Sequence, residues 1–467
     1  MDPIHGNDNS DIWVCNLVVQ GLTKSSADGT KVEPELAERW DVSPDGITYT
    51  FYLKEGVKFS DGTPVTTDDW IYSYERLITS KESVWTDSFS MIDKVTATGD
   101  NTLRFKLKAP SPFFLAATSM FCASVMPKAY CEKVGDDGIA QNPIGTGPFM
   151  LESWNRGEKL VFAKNPYYWK EGLPKADKII FNVVPDDNTK IMQLQAGQVD
   201  VITYVPFNRT AELSVGRTKV YMPASTYTSF ISVNNSLPEL SDPNVRKALL
   251  YAIDRDAINK VIYNGKAALS TGLISPALPH YNSQIKPLPY DLEKAKELMS
   301  KSAYPDGFQI SLTFTSGNFN ELQMAVMIKE AWSKIGVALK LEQLDSATVW
   351  SNWGGMKYQS LLNALTSDIA DPTQFGNIAI SALGRHCYRS DWSGPKQQEA
   401  EIYAVKANSE MDPAKRAALY AKVQELYNDD LPLLPMFYVP YVVASSKSVT
   451  GFEQNPLGVY NFELLSK

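Results

Sequence analysis

NPIGTGPFMLESWNRGEKLVFAKNPYYW, residues Asn142–Trp169, orders its glycines, prolines and aromatics as a connector between globular units. Gly145 and Gly147 admit backbone angles that other residues avoid, and Pro143 and Pro148 stiffen the chain around them. The apolar run Phe149 to Trp154, a turn at Gly157 and the run Leu160 to Ala163 then read as a strand, a reversal and a returning strand. Local pattern leaves two readings open: an ordinary glycine turn beside a hairpin, or a hinge between lobes that close on something.

At 467 residues the chain exceeds what one hydrophobic core normally supports, so two or three lobes are expected. Its 44% hydrophobic and 21% charged residues are ordinary for a globular protein. The 45 basic and 53 acidic residues leave a net charge of -8 without a polybasic run, so nucleic acid is not an expected partner. No apolar stretch reaches the length of a membrane span, and no signal peptide or lipid-attachment cysteine begins the sequence. Cys15, Cys122, Cys131 and Cys387 are too few for a disulfide scaffold and lack the close pairs of a zinc site. Cys122 and Cys131 are near enough to bridge if the chain turns back between them; the alternative is buried free thiols.

Strand and helix signals alternate irregularly, which predicts an α/β protein and excludes a repeat array. Tyr49, Phe51 and Leu53 alternate with less buried neighbours, as in a strand with one inward face. Thr66 with Asp69 three residues on can form a capping box for a helix through Trp70, Tyr74 and Leu77. Asn188 to Ala196 reads as a helix ended by Gly197, followed by a strand from Val199 to Tyr204. Asp242-Pro243 supplies an N-cap and first-turn proline for a helix carrying Val245, Leu249 and Ile253, and Asp254 restarts a second through Ile258 and Ile262. Met324, Ile328, Ala331 and Ile335 fall at helical spacing before Gly336, after which Val337, Leu339 and Leu341 alternate as a strand.

Catalytic motifs are absent from this sequence. His5, His280 and His386 are widely separated, and there is no Gly-x-Ser-x-Gly elbow, His-Glu-x-x-His helix, phosphate-cradling loop or dinucleotide fingerprint. Asp368 and Asp371 could be imagined as an acid and base pair, but nothing in a sequence sets the separation of two carboxylates.

PELAERW, followed by DGITYTFYLKEGVKFSDGTPVTTDDWIYSYERL, resembles the signature region of the extracellular solute-binding proteins of family 5, the oligopeptide, dipeptide and nickel binders of ABC importers. NPIGTGPFMLESW, NPYYW, LQAGQVDV, DPNVRKALLYAIDRDAI, DPAKRAALY and LPLLPMFY agree in the same order, so the resemblance spans nearly all of the chain. It implies a two-lobed, periplasmic-binding-protein-like α/β fold of the Venus-flytrap kind, family 5 or cluster C type, with an extra subdomain. Carried onto this chain, residues 1–20, 142–236 and 445–467 form a discontinuous first lobe, 21–141 its extra subdomain and 237–444 the second lobe. The crossings fall near Asn234 to Pro238 and Val439 to Ser445, and the Asn142–Trp169 stretch becomes the re-entry into the first lobe.

The implied function is that of a non-enzymatic, monomeric receptor without a cofactor, which captures a peptide or related amine-bearing solute outside the cell and delivers it to membrane permease subunits. The natural chain is expected to begin earlier, with an export signal and a lipidated cysteine. Asp368, in Leu365-Thr366-Ser367-Asp368-Ile369-Ala370-Asp371-Pro372, aligns with the aspartate that holds a peptide's α-ammonium; a loop carboxylate bonded to backbone amides is the plainer alternative. Asp371, before Pro372, reads as a cap. Leu365 stands where peptide binders commonly carry Trp, and Thr315-Ser316-Gly317-Asn318-Phe319-Asn320 lacks the arginine with which dipeptide binders clamp a carboxylate. A longer peptide is then expected to pair its backbone with extended segments from Tyr204 through Val205 and Pro206 to Phe207 and from Tyr227 to Asn234. An oligosaccharide, an opine-like conjugate or a metal chelate stays open, with Trp350, Trp353, Tyr358 and Trp392 as stacking candidates and His386-Cys387 as weak metal ligands. The rival of another class is a secreted hydrolase.

Overall fold

A computed structural model describes residues 1–6, 9–375 and 390–467. In its N-terminal part, strands Ala37–Val42, Thr48–Leu53, Thr102–Leu107 and Ile92–Gly99 pair in that order as an antiparallel sheet. Tyr49, Phe51 and Leu53 all point inward, because period-two alternation puts them on one face of the pleat. Phe105 meets Phe51 edge-on at 5.5 Å and Tyr74 at 4.7 Å, joining the sheet to the helix Thr67–Thr79. That helix starts where the sequence indicates. Thr66 accepts from the Asp69 N–H, and Asp69 Oδ2 accepts from the Thr66 N–H at 2.9 Å.

The Asn142–Trp169 stretch leads into a second antiparallel sheet of Phe149–Asn155, Lys159–Lys164 and Lys178–Asn182, with Gly157 at φ 76 in the reversal. Gly145 and Gly147 serve close approach. A Cβ on Gly145 would lie 2.2 Å from the Val18 carbonyl oxygen, and one on Gly147 would lie 2.4 Å from that of Leu17. The Gly147 N–H donates to the Val18 carbonyl at 2.7 Å, and Asn165 Nδ2 donates to the Gly147 carbonyl at 2.8 Å. The re-entry stretch is thus locked under the helix Asn9–Val18, and both sheets share one core that runs from Ile4 to Ile179 and takes in Ile369, Tyr460 and Phe462. Cys122 and Cys131 are buried free thiols that do not bridge one another, and Cys15 is buried as well. Cys387 and His386 lie outside the described residues.

A large mixed sheet organises the C-terminal half. Among the described residues its order is Ala268–Leu269, Leu433–Tyr438, Thr228–Val233, Ser360–Leu365, Phe308–Thr315 and Val337–Leu344, the last two strands parallel. Helices Pro243–Tyr251, Arg255–Tyr263, Leu292–Ser300 and Phe319–Ser333 contribute to one core with this sheet, through Val245, Leu249, Ile258, Ala295 and Ile328. Helices Ser346–Gly354, Pro395–Ser409 and Pro413–Asp430 contribute to another, through Trp353, Ala400 and Val423. Thr228–Val233 is buried at every position, as a central strand covered on both faces must be.

The expected division at residues 236 and 237 needs correction. Both edges of Thr228–Val233 are hydrogen-bonded within the large sheet, so this strand belongs with the C-terminal half. The first crossing therefore lies at Met222–Tyr227, between Thr218–Tyr221 of a small sheet and Thr228. The return runs from Leu433–Tyr438 of the large sheet to Val443–Ser446 of the small one, through Val439–Val442. The two connections are tied together: the Val439 N–H donates to the Tyr227 carbonyl at 3.0 Å and the Tyr441 N–H to the Pro223 carbonyl at 3.2 Å. Ile191, Leu194, Ile202 and Leu213, around the small sheet, continue the core on one face of the large sheet.

Candidate functional site

The loop after Ser360–Leu365 is held at several points. The Ser367 N–H donates to Thr226 Oγ1 at 2.9 Å, and Ser367 Oγ donates to the Ile369 carbonyl at 2.8 Å. Asp371 accepts from the Thr373 N–H at 2.9 Å and takes a buried, bidentate pair from Arg416 at 2.6 and 2.8 Å. Asp368 is treated differently. Its N–H donates to Gln374 Oε1 at 2.9 Å, and Gln374 Nε2 donates to its Oδ2 at 2.6 Å, so its side-chain partner is neutral. Burial pushes the carboxyl up to about 6, and the Gln374 hydrogen bond only partly opposes that. Next to it, Ile369 enters the core of the N-terminal half, so this loop of the large-sheet half is pressed against the other half.

Asp368 lines a cavity of about 360 Å³ whose remaining walls come mostly from the two ends of the chain. Strand Thr23–Ser25 forms one wall. Among the described residues it pairs with Val32–Pro34 alone, so its other edge carries no strand. Met120, Phe121 and Ser124 form another, and Asn455 to Glu463 the floor. The polar lining includes Glu33, Glu35, Glu453 and Glu463 besides Asp368, with Lys24 as the basic side chain among the described residues.

A larger cavity of about 730 Å³ lies beside the two crossings and is lined by Tyr204, Val205, Pro206, Tyr227, Asn318 and Tyr441, among others. Ring contacts join the linings of the two cavities. Trp13 stacks on Tyr204 at 5.6 Å and meets Tyr460 edge-on at 4.9 Å, and Tyr460 lines the smaller cavity. Tyr204 takes a left-handed φ of 53 there, a conformation unfavourable for an aromatic residue.

The candidate residues are thus distributed over two cavities rather than one. Asp368 walls the first, while Tyr204, Val205, Pro206, Tyr227 and Asn318 wall the second. Asn318 also caps the helix Phe319–Ser333, accepting from the Glu321 N–H at 3.1 Å. Thr315, Ser316 and Leu365 line neither cavity; the Ser316 N–H donates to the Leu344 carbonyl at 2.7 Å, and Leu365 packs beside a core. Trp350 is 47% exposed, and Trp353, 2% exposed, sits in the core against Phe230. Tyr227 to Asn234 offers no backbone edge to a peptide, because Thr228–Val233 is paired on both sides. The free edge lies at Thr23–Ser25, which the sequence reading missed along with Gln20, Glu35 and the Asn455–Glu463 segment. No periodicity marks a three-residue strand, and nothing local tells which of its edges stays open. Among the described residues no group of three His, Cys, Asp or Glu side chains could hold a metal ion, and no helix is long and apolar enough to cross a membrane.

The family described as bacterial extracellular solute-binding proteins, family 5 Middle, matches residues 31–382. The chain is 29% identical to the glutathione-binding protein of Salmonella typhimurium strain LT2, covering 99% of this chain and 91% of that one. It is 30% identical to the dipeptide-binding protein of Escherichia coli K12, over 94% and 86% of the two. Among solved structures, a periplasmic binding protein of Helicobacter pylori in complex with the peptide STSA superposes with a TM-score of 0.89 at 28% identity, covering 100% of this chain and 96% of that one.

Proposed function

The chain belongs to family 5 of the bacterial extracellular solute-binding proteins, which work with ABC-transporter permeases, and we propose that the solute it carries is a peptide with a free α-amino group held by Asp368. The observation that carries this reading is the meeting, on one cavity, of a half-buried carboxylate bonded by its side chain to a neutral amide with a strand edge that is unpaired among the described residues. A carboxylate desolvated in this way is costly until a cation joins it, and an ammonium supplies that cation. The edge of Thr23–Ser25 then offers main-chain donors and acceptors to the peptide backbone.

The absence of arginine from Thr315 to Asn320 speaks against a dipeptide clamped at both ends, and for a ligand gripped at its N-terminus and along its backbone. Ligand contacts from both halves favour the arrangement in which the Asp368 loop presses on the N-terminal half, so binding shifts the population toward closure. The permease then meets the closed surface. Native mass spectrometry of gently purified protein, followed by the same measurement on Asp368→Asn, tests this. A retained peptide mass that disappears in the variant is expected; a retained species without an amine or other cationic group overturns the role given to Asp368.

A further inference from the structure

The cavity walled by Asp368 holds more acid than that one carboxylate explains, and Glu35 is the residue that points to a ligand. Its side chain is only 6% exposed. Gln20 Nε2 donates to Oε1, and Lys170 Nζ stands 3.4 Å from the same atom. That ammonium is shared, since it also lies 2.7 Å from Glu463. Trp169 Nε1 donates to Gln20 Oε1 at 2.9 Å and so fixes the amide that faces Glu35. Glu35 Oε2 has no hydrogen-bond donor among the described residues. Lys24 Nζ is 3.8 Å from it and 4.0 Å from Glu33, on a side chain that is 44% exposed. Burial pushes the Glu35 carboxyl up against the pull of Lys170 and Lys24. Two lysines thus face the three carboxylates of Glu33, Glu35 and Glu463, and a buried carboxylate oxygen with an unmade hydrogen bond borders the cavity.

Resting on the peptide reading above, we infer that the ligand carries a second cation besides its α-ammonium, a lysine-like or arginine-like side chain bound at Glu35 Oε2, so that the protein selects basic peptides. The same acids disfavour peptides with acidic side chains, since like charges brought together in a desolvated cavity repel strongly.

Isothermal titration calorimetry of the full chain tests this with trialanine, its three single-lysine versions and the three matching versions carrying norleucine, a neutral isostere of lysine. At one position at least, lysine is expected to bind about tenfold or more tighter than norleucine, and Glu35→Gln to bring that ratio close to one. Equal affinities for lysine and norleucine at all three positions in the native protein overturn the inference, and then Gln20, Glu35, Lys170 and Glu463 only tie the two chain ends together. In that case bound trialanine leaves the peptide reading standing. A ratio unchanged by Glu35→Gln removes the role of Glu35, and a failure of all seven peptides to bind overturns the peptide reading and this one with it.

Discussion

Asp368 and Asp371 stand three residues apart in one loop and meet opposite fates. Asp371 is buried against the Arg416 guanidinium, which also donates to Thr373 Oγ1 at 2.8 Å. Removing one partner of such a pair leaves a charge stranded in the interior, so Arg416→Met is expected to destabilise the fold by about 3–5 kcal/mol in denaturant titrations. Asp368 meets a neutral amide instead, and burial pushes its carboxyl up to about 6. Its folded value is raised above the ordinary aspartate value of 3.8, so the unfolded chain loses this proton first as pH rises. Stability from this group therefore declines as pH rises from about 4 through 6, and the full cost is present above that. A bound ammonium favours the ionised form. Affinity for a peptide with a free N-terminus is accordingly expected to be full above pH 6 and to fall toward about tenfold per unit below it in calorimetric titrations. Asp368→Asn is expected to abolish that pH dependence and to cost about 2–5 kcal/mol of binding. An unchanged pH profile in the variant would assign the titration to another group.

Among the elements, those with a strong local signal formed where the sequence puts them. The helix Thr67–Thr79 begins at its capping box, and Thr66→Ala should cost about 1 kcal/mol, read as a lowered denaturation midpoint. Asp242 and Asp254 cap their helices through hydrogen bonds of 2.8 and 2.9 Å, because a short acceptor at the N-cap satisfies an orphan N–H of the first turn. The glycines of Asn142–Trp169 were legible as special residues, but the reason is one no local rule contains. They make room for the carbonyls of Leu17 and Val18, more than a hundred residues away in the chain. Gly147→Ala forces two backbones apart and is expected to cost about 1–3 kcal/mol or more by the same titration. A loss near zero would mean that the N-terminal helix shifts freely. The strand Thr23–Ser25 shows the opposite case: too short to be read, it supplies the open edge beside Asp368.

In the whole molecule, the chain passes between the small and large sheets twice, through Met222–Tyr227 and Val439–Val442, which are hydrogen-bonded to one another. Two short, adjacent connections suit a bending motion between rigid bodies, because few dihedral angles need to change. Small-angle scattering with and without a peptide should show a smaller radius of gyration at saturation; an unchanged radius would argue against closure. Sequence alone determined the α/β class and the family and singled out Asp368 as a candidate, because capping, periodicity and motif order are written in neighbouring residues. Only the tertiary structure decided where the first crossing lies, since the side chains of Thr228–Val233 do not tell which sheet will take up its edges. It alone also brought Glu35, Asp368 and Glu463 to one cavity. Residues drawn from the two ends of the chain and a loop of its C-terminal half become neighbours through packing, and no spacing along the sequence encodes that distance.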